Sequence, residues 1–269
     1  MRKALTYSML VLGAVLFAYP FLWMIAGSLK PELEISSLGL FSWKMTTQSY
    51  EAVLTKIPIG RAFINSLIVS LVTTTSVVLF GSMVGYALAK LKFVGNKVLF
   101  IIILFTMMIP FQIVLIPQYI LMVKLGWTDT YLSLIAPTMM SAFSITLFRQ
   151  FFMSIPSALI DAARIDGCSE RRILFSVVWP LSRPVIVTVA ILTFMTSWNE
   201  VLWPLMVVRD RSLMTMPQIV TLFTIGGEAE SQLGSLLAAA TLLSLPVIIA
   251  YSFFQKYFIE SMASSGLKG

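Results

Sequence analysis

Ser157-Ala-Leu-Ile-Asp-Ala-Ala-Arg-Ile-Asp-Gly-Cys-Ser-Glu-Arg-Arg172 is a charged island in an otherwise greasy chain, and nothing comparable interrupts the rest. A polar, helix-patterned segment between apolar spans has little purpose unless something water-soluble docks on it. Ser154 or Ser157 is placed to cap a helix whose first turn holds Pro156, where a missing N–H costs nothing. Gly167 has the position of a helix terminator in the left-handed conformation. Between them Leu159, Ile160, Ala162 and Ala163 fall three or four residues apart. They make a shallow apolar stripe flanked by Asp161, Arg164 and Asp166. A partner's backbone can come close over the two alanines. A second amphipathic run, from Glu170 to Val178 and stopped by Pro180, leads back to a span that begins at Pro184. The same pattern would suit a helix lying on anionic lipid, although such helices usually expose large apolar residues instead of alanines.

Composition sets the environment. Of 269 residues, 58% are hydrophobic and 12% charged, with a mean hydropathy of +0.91; soluble domains carry roughly a quarter charged residues. The expectation is therefore an all-α, polytopic membrane protein. Its single cysteine, Cys168, excludes an internal disulfide, and the lack of histidine removes the commonest general base and metal ligand. No catalytic residue and no metal site are expected.

A hydrocarbon core of about 30 Å needs roughly 20 apolar residues per helix, which predicts six spans. They fall near residues 5–27, 62–88, 98–120, 131–152, 185–207 and 233–257 of a single domain, with the charged loop at 153–184. The first exceeds a signal-peptide core in length and contains Pro20, so it reads as an uncleaved helix. With the N-terminus inside, Arg2, Lys3, Lys90, Lys92, Lys97, Arg149, Arg164, Arg171, Arg172, Arg183, Lys256 and Lys268 share one side, whereas the opposite loops balance basic against acidic residues. The positive-inside rule then places both termini and the island in the cytoplasm. The net charge of +7 reports topology, and nucleic acid need not be invoked.

Several strings carry a resemblance. Asp161-Ala162-Ala163-Arg164-Ile165-Asp166-Gly167, followed by Phe175, Pro180, Leu181 and Pro184, resembles the EAA loop of permease subunits of ABC importers, with Asp161 in place of the usual glutamate. Ile109-Pro110 with Gln112, Pro117 and Tyr119, and Leu125-Gly126-Trp127-Thr128-Asp129-Thr130, are similar to the link between the third and fourth spans of carbohydrate importers. Trp198-Asn199-Glu200 with Leu202-Trp203-Pro204-Leu205 resembles their fifth span, and Ser265-Gly266-Leu267-Lys268-Gly269 the tail of the maltose-type, MalG-like branch.

The resemblance implies a MetI-like permease fold with a core at about 58–257, in a bacterial or archaeal cytoplasmic membrane. It also implies a second, non-identical permease, two cytoplasmic ATPases on the EAA loops and an extracytoplasmic solute-binding protein. Asp161, Ala162, Ala163, Arg164, Asp166, Gly167, Pro180 and Pro184 are then the ATPase-coupling residues. Asp161 could meet a basic residue of the ATPase. Asp166 could do the same or cap nearby backbone N–H groups. This chain has no Gly-x-x-x-x-Gly-Lys-Ser/Thr loop, so ATP and magnesium are expected on the partner, with no cofactor here.

Counting 1.5 Å per residue from Pro184 puts Glu200 roughly 24 Å along the fifth span. An ionisable group at that depth normally faces a cavity or a partner. With Trp198 and Asn199 it reads as a wall of the solute path, where an aromatic face meets a sugar ring. Snorkelling or pairing with Arg209 would equally place Glu200 there. Trp23 and Trp203 suit interface anchoring or packing. Gly226 and Gly227 suit either a projection into the binding protein or an ordinary turn, and Gly81 with Gly85 a close helix approach. The solute could instead be a glycerol phosphodiester or another polar metabolite. An ion-coupled secondary transporter would leave the island unexplained and normally shows recognisable halves. An intramembrane protease lacks its histidines or paired in-span aspartates.

Overall fold

The computed structural model describes residues 2–35, 39–40, 42–225 and 232–266, without the side chains of 2, 4, 250 and 253–266. Helices dominate, and no strand occurs among the described residues. Among the described residues, two helices are continuous, apolar and long enough to cross a bilayer: α1 (Arg2–Ser28, apolar from Leu5) and α4 (Ile59–Lys90). Short helices α2 (Glu32–Ile35) and α3 (Gln48–Lys56) lie between them. At 1.5 Å per residue α4 is roughly 48 Å long, well beyond a core of about 30 Å.

Three of the other four expected spans are broken, and 233–257 stays continuous. Residues 98–120 divide into α5 (Asn96–Met107) and α6 (Phe111–Lys124), bent by 98°. Pro110, at φ −59° and ψ 136°, has no N–H to continue the ladder and pushes the preceding residue out of helical space. Residues 131–152 divide into α7 (Tyr131–Ile135), a 3-10 turn (Ala136–Thr138) and α8 (Ala142–Ser154), with a 41° bend. Ser141 caps α8 by accepting from the Ser144 N–H. The charged loop holds α9 (Ser157–Ile165), α10 (Glu170–Ile173), a π-turn (Leu174–Val178) and α11 (Trp179–Leu181), which meets α12 (Arg183–Trp198) at 87°. Pro180 does not stop the second run as expected. The wide turn before it relaxes the i→i+4 ladder, so the chain stays helical to Leu181.

The expected fifth span is likewise interrupted, at residues 199–201, before α13 (Leu202–Val207). A helix missing from the sequence reading, α14 (Met216–Ile225), lies in what reads as a loop; it is only 10 residues long. The last helix is α15 (Leu233–Gly266), apolar over Leu233–Ile249.

The chain forms two compact units, Met1–Phe63 with Thr215–Ile249, and Ile64–Met214 with Ala250–Gly269. In the first, the Ser28 hydroxyl meets the Tyr50 hydroxyl at 2.8 Å, and the Lys30 ammonium donates to the Gly39 carbonyl. Glu32 accepts from the first N–H groups of α15, those of Leu233 and Gly234; a carboxylate there satisfies orphan donors and complements the helix dipole. The second unit is built on a buried cluster of Val77, Tyr86, Phe148, Phe152, Ile160, Ile173, Val178 and Val185, with their neighbours. Its members come from α4, α8, α9, α10, the π-turn and α12. The charged loop therefore belongs to the core of its unit.

Candidate functional site

α9 is set by its two ends. Pro156 occupies the N-cap, at φ −57° and ψ 128°, and no side chain caps the helix. The expectation of a Ser154 or Ser157 cap is thus corrected; the Ser154 hydroxyl donates backward to the Phe151 carbonyl at 2.7 Å. At the other end the Cys168 N–H reaches the Ala163 carbonyl and the Gly167 N–H the Arg164 carbonyl, both at 3.0 Å, with Gly167 at φ 77°. That is a Schellman stop, and it needs a left-handed residue where glycine sits. The Asp166 side chain is exposed and the closing bonds of the turn are all backbone to backbone, so it does not act as the expected cap.

The two alanines face different ways. Ile160 is 1% exposed and Ala163 packs beside it on the cluster, as does Cys168. Ala158, Leu159, Ala162, Ile165 and Asp166 face outward, Ile165 at 86% exposure. Ala163 is half-buried, since residues three apart share a helix face and Ile160 takes that face into the core. Ala162 keeps its expected place on the open side.

Charged groups tie α9 to α10 and to α4. Arg164 donates from Nη1 to Asp161 Oδ1 at 3.0 Å and from Nε to Glu170 Oε1 at 2.7 Å. The other Glu170 oxygen accepts from the Tyr86 hydroxyl on α4 at 2.6 Å. The Arg164 hydrogen bond holds the Glu170 carboxyl below its ordinary range, helped by Tyr86 and resisted by partial burial. Ser169 caps α10 by accepting from the Arg172 N–H. Pro184 sits in the first turn of α12, where a proline belongs.

Two further bonds join α4 to this loop. Lys90 Nζ donates to the Ile155 carbonyl at 2.6 Å, and Trp179 Nε1 donates to Ser82 Oγ at 3.1 Å. Sequence reading assigned Ser82 and Tyr86 no role, and used Lys90 only as a topology charge and Glu170 only as the start of a run. The only signal it offered was the four-residue spacing of the first three along an apolar helix.

At the opposite end of α4 the same unit is pinned again. Asn65 donates to the carbonyls of Ser212 and Met214 at 2.9 and 3.0 Å and accepts from the Tyr131 hydroxyl at 2.7 Å. Asp129, at φ 56°, accepts from the N–H groups of Arg209 and Asp210 at 2.6 and 2.9 Å. Trp203 donates from its indole to the Ser133 carbonyl at 2.8 Å, which makes it a packing residue.

The expected solute wall is only partly assembled. Trp198 is completely buried and stacks on Phe194 at 5.7 Å, so its ring offers no face to a solute, and that expectation is corrected. Asn199 is exposed and donates back to the Met195 carbonyl at 2.7 Å. Glu200 lies in the helix break, where it accepts from the Trp203 N–H at 3.1 Å instead of pairing with Arg209. Gly226 and Gly227 lie outside the described residues.

Residues 77–264 match the model of a family described as binding-protein-dependent transport system inner membrane component. The chain is 35% identical over 273 residues to the arabinooligosaccharides transport system permease protein AraQ of Bacillus subtilis, covering 100% of this chain and 96% of the relative. It is 31% identical to the trehalose/maltose transport system permease protein MalG of Thermococcus litoralis, covering 100% and 99%. Among solved structures it resembles a chain of a bacterial ABC transporter involved in the import of the acidic polysaccharide alginate. There the TM-score is 0.81 and the identity 25%, with 95% of this chain and 96% of that one covered.

Proposed function

Because the chain belongs to the family of binding-protein-dependent transport system inner membrane components, we propose that it is an importer permease for a sugar or oligosaccharide, driven by ATP hydrolysis on a separate subunit. The observation that carries this reading is α9: a short, sharply stopped helix, rooted in the core through Ile160, with Ala158, Leu159, Ala162 and Ile165 left open. Two cytoplasmic ATPases, which bind the ATP and magnesium, dock on this helix and its counterpart in a second, non-identical permease. An extracytoplasmic binding protein delivers the solute. The basic excess around the loop supports cytoplasmic placement of the loop and both termini. Relatives named for arabino-oligosaccharide and for trehalose and maltose transport support a carbohydrate.

ATPase closure draws the docked helices together, and α9 passes that displacement on as a rigid body, since its exit is fixed by Gly167 and its flank by Ile160. Asp161 keeps one oxygen free of Arg164 and can meet a basic group on the ATPase, as can Asp166. Asn199 and Glu200 remain the candidates on this chain for the solute path.

The test is reconstitution of the full complex in vesicles with its binding protein, followed by uptake of labelled oligosaccharide and of labelled sn-glycerol 3-phosphate. ATP-dependent uptake of the sugar is expected; uptake of the phosphate ester alone overturns the carbohydrate reading. Ala162→Trp should release the ATPase from the purified complex while the permease still inserts. Full retention would overturn the docking role of α9.

A further inference from the structure

Ser82, Tyr86 and Lys90 stand four residues apart on one face of α4, and each is bonded to a different part of the docking loop. Lys90 holds the loop where it leaves α8, through the Ile155 carbonyl. Tyr86 holds it where α9 has ended, through Glu170, and Ser82 holds it at Trp179, just before α12. From Asp161 on the open surface the chain of bonds runs through Arg164 and Glu170 to the Tyr86 hydroxyl, with no link longer than 3.0 Å.

Packing alone does not call for this. Tyr86 is 3% exposed and lies edge-on to Phe152 at 6.4 Å, where phenylalanine would fill the same volume. Its hydroxyl instead reaches a carboxylate already held by a guanidinium. The three bonds fix both translation and rotation of the loop against α4, because sliding in either direction breaks at least one of them. α4 is in turn locked to α8 at Gly85, where even a Cβ would lie 3.0 Å from the Arg149 backbone nitrogen. α4 thus offers the loop a stiff outlet, a helix longer than the bilayer is thick.

We propose that α4 is the element that carries the ATPase stroke into the membrane, and that Tyr86 and Glu170 are positioning residues that set the docking helix in register with it. The inference rests on the docking role given to α9 above. Loss of the phenol should leave the ATPase bound and hydrolysing, yet let α9 move without taking α4 along. Tyr86→Phe tests this in the complete reconstituted complex, with ATPase retention, ATP turnover and solute uptake measured on the same preparation.

The expected result is unchanged retention with uptake per ATP lowered about tenfold or more, the scale of one hydrogen bond to a charged group. Glu170→Ala should lower it at least as far, and the double variant no further than Glu170→Ala alone. Wild-type uptake per ATP in Tyr86→Phe would overturn the proposal. So would losses that multiply in the double variant, or a fall in uptake that only tracks a fall in assembled complex. Failure of the docking role gives a different result, because Ala162→Trp would then keep its ATPase.

Discussion

Alanine placed at Gly81 and at Gly85, one helical turn apart on α4, should change stability in opposite directions. At Gly85 a Cβ would lie 2.7 Å from the Phe148 Cβ, 3.0 Å from the Arg149 nitrogen and 3.2 Å from the Ile145 carbonyl oxygen. Two of those three atoms are backbone, and the third is fixed to it, so no rotamer change relieves the contact. To reach ordinary contact at 3.4 Å from 2.7 Å the two helices must separate by 0.7 Å. Overpacking of that kind costs about 1–3 kcal/mol, against about 1 kcal/mol gained from helix propensity. At Gly81 the nearest atom is the Phe148 ring at 3.4 Å, so the methyl fits and only the gain remains. The two variants should therefore differ by roughly 2 kcal/mol, or about 4–8 °C in melting temperature for a domain of this size. Thermal unfolding of the purified permease pair in detergent, followed by tryptophan fluorescence, measures it. Equal shifts, or a Gly85→Ala variant as stable as wild type, would refute the close approach between α4 and α8.

Asp129→Ala removes the acceptor of two backbone N–H groups and leaves a non-glycine residue at φ 56°, whereas Asp129→Asn keeps an oxygen there. The first should lose about 2 kcal/mol of unfolding free energy and the second much less, read from denaturant or thermal melts. Glu200→Leu should lower stability by about 1 kcal/mol through the lost acceptor for the Trp203 N–H; reduced uptake per assembled complex beyond that would place the carboxylate in the solute path, and unchanged uptake would leave it a capping group. Glu170 has its carboxyl lowered in the folded state by Arg164, so its contribution is complete above the ordinary carboxylate range and fades as pH falls through the lowered value. Melting temperature against pH, from about 6 to 3, should drop less steeply for Glu170→Gln than for wild type; identical slopes would remove the pair from the acid response.

Sequence pattern carried the helical class and the loop further than it carried the spans. Gly167 was legible because a left-handed stop needs a residue without a Cβ, and the structure places it at φ 77°. Hydropathy sees apolar length and is blind to direction, which is why 98–120 reads as one span although the chain turns by 98° at Pro110. The proline was visible; that it ends the helix there, while Pro117 and Pro20 sit inside helices, depends on tertiary support. The face of α9 was misjudged because Ile160 and Leu159 are equally apolar on paper. Only the surrounding core from α4, α8 and α12 decides that Ile160 goes in and takes Ala163 with it. Trp198 failed for a related reason: an aromatic beside two polar residues looks like a ring-binding face until Phe194 is found stacked on it.

The bonds at the two ends of the second unit differ in kind, and the difference bears on how the unit can move. Near Asn65 the links run largely from side chains to backbone groups of the 207–214 segment, with Asp129 and Asn65 each meeting two of them. Such bonds fix a backbone path and survive substitution of the residues they reach. Near Lys90 the chain from Tyr86 through Glu170 and Arg164 to Asp161 is made of side chains alone and ends on an exposed carboxylate. Asp161 keeps its other oxygen free of Arg164, so a partner cation can join that end without displacing the guanidinium from Glu170. An end that can be joined by a partner, linked through one stiff helix to an end that cannot, gives a body that responds to docking at one side and moves as a whole.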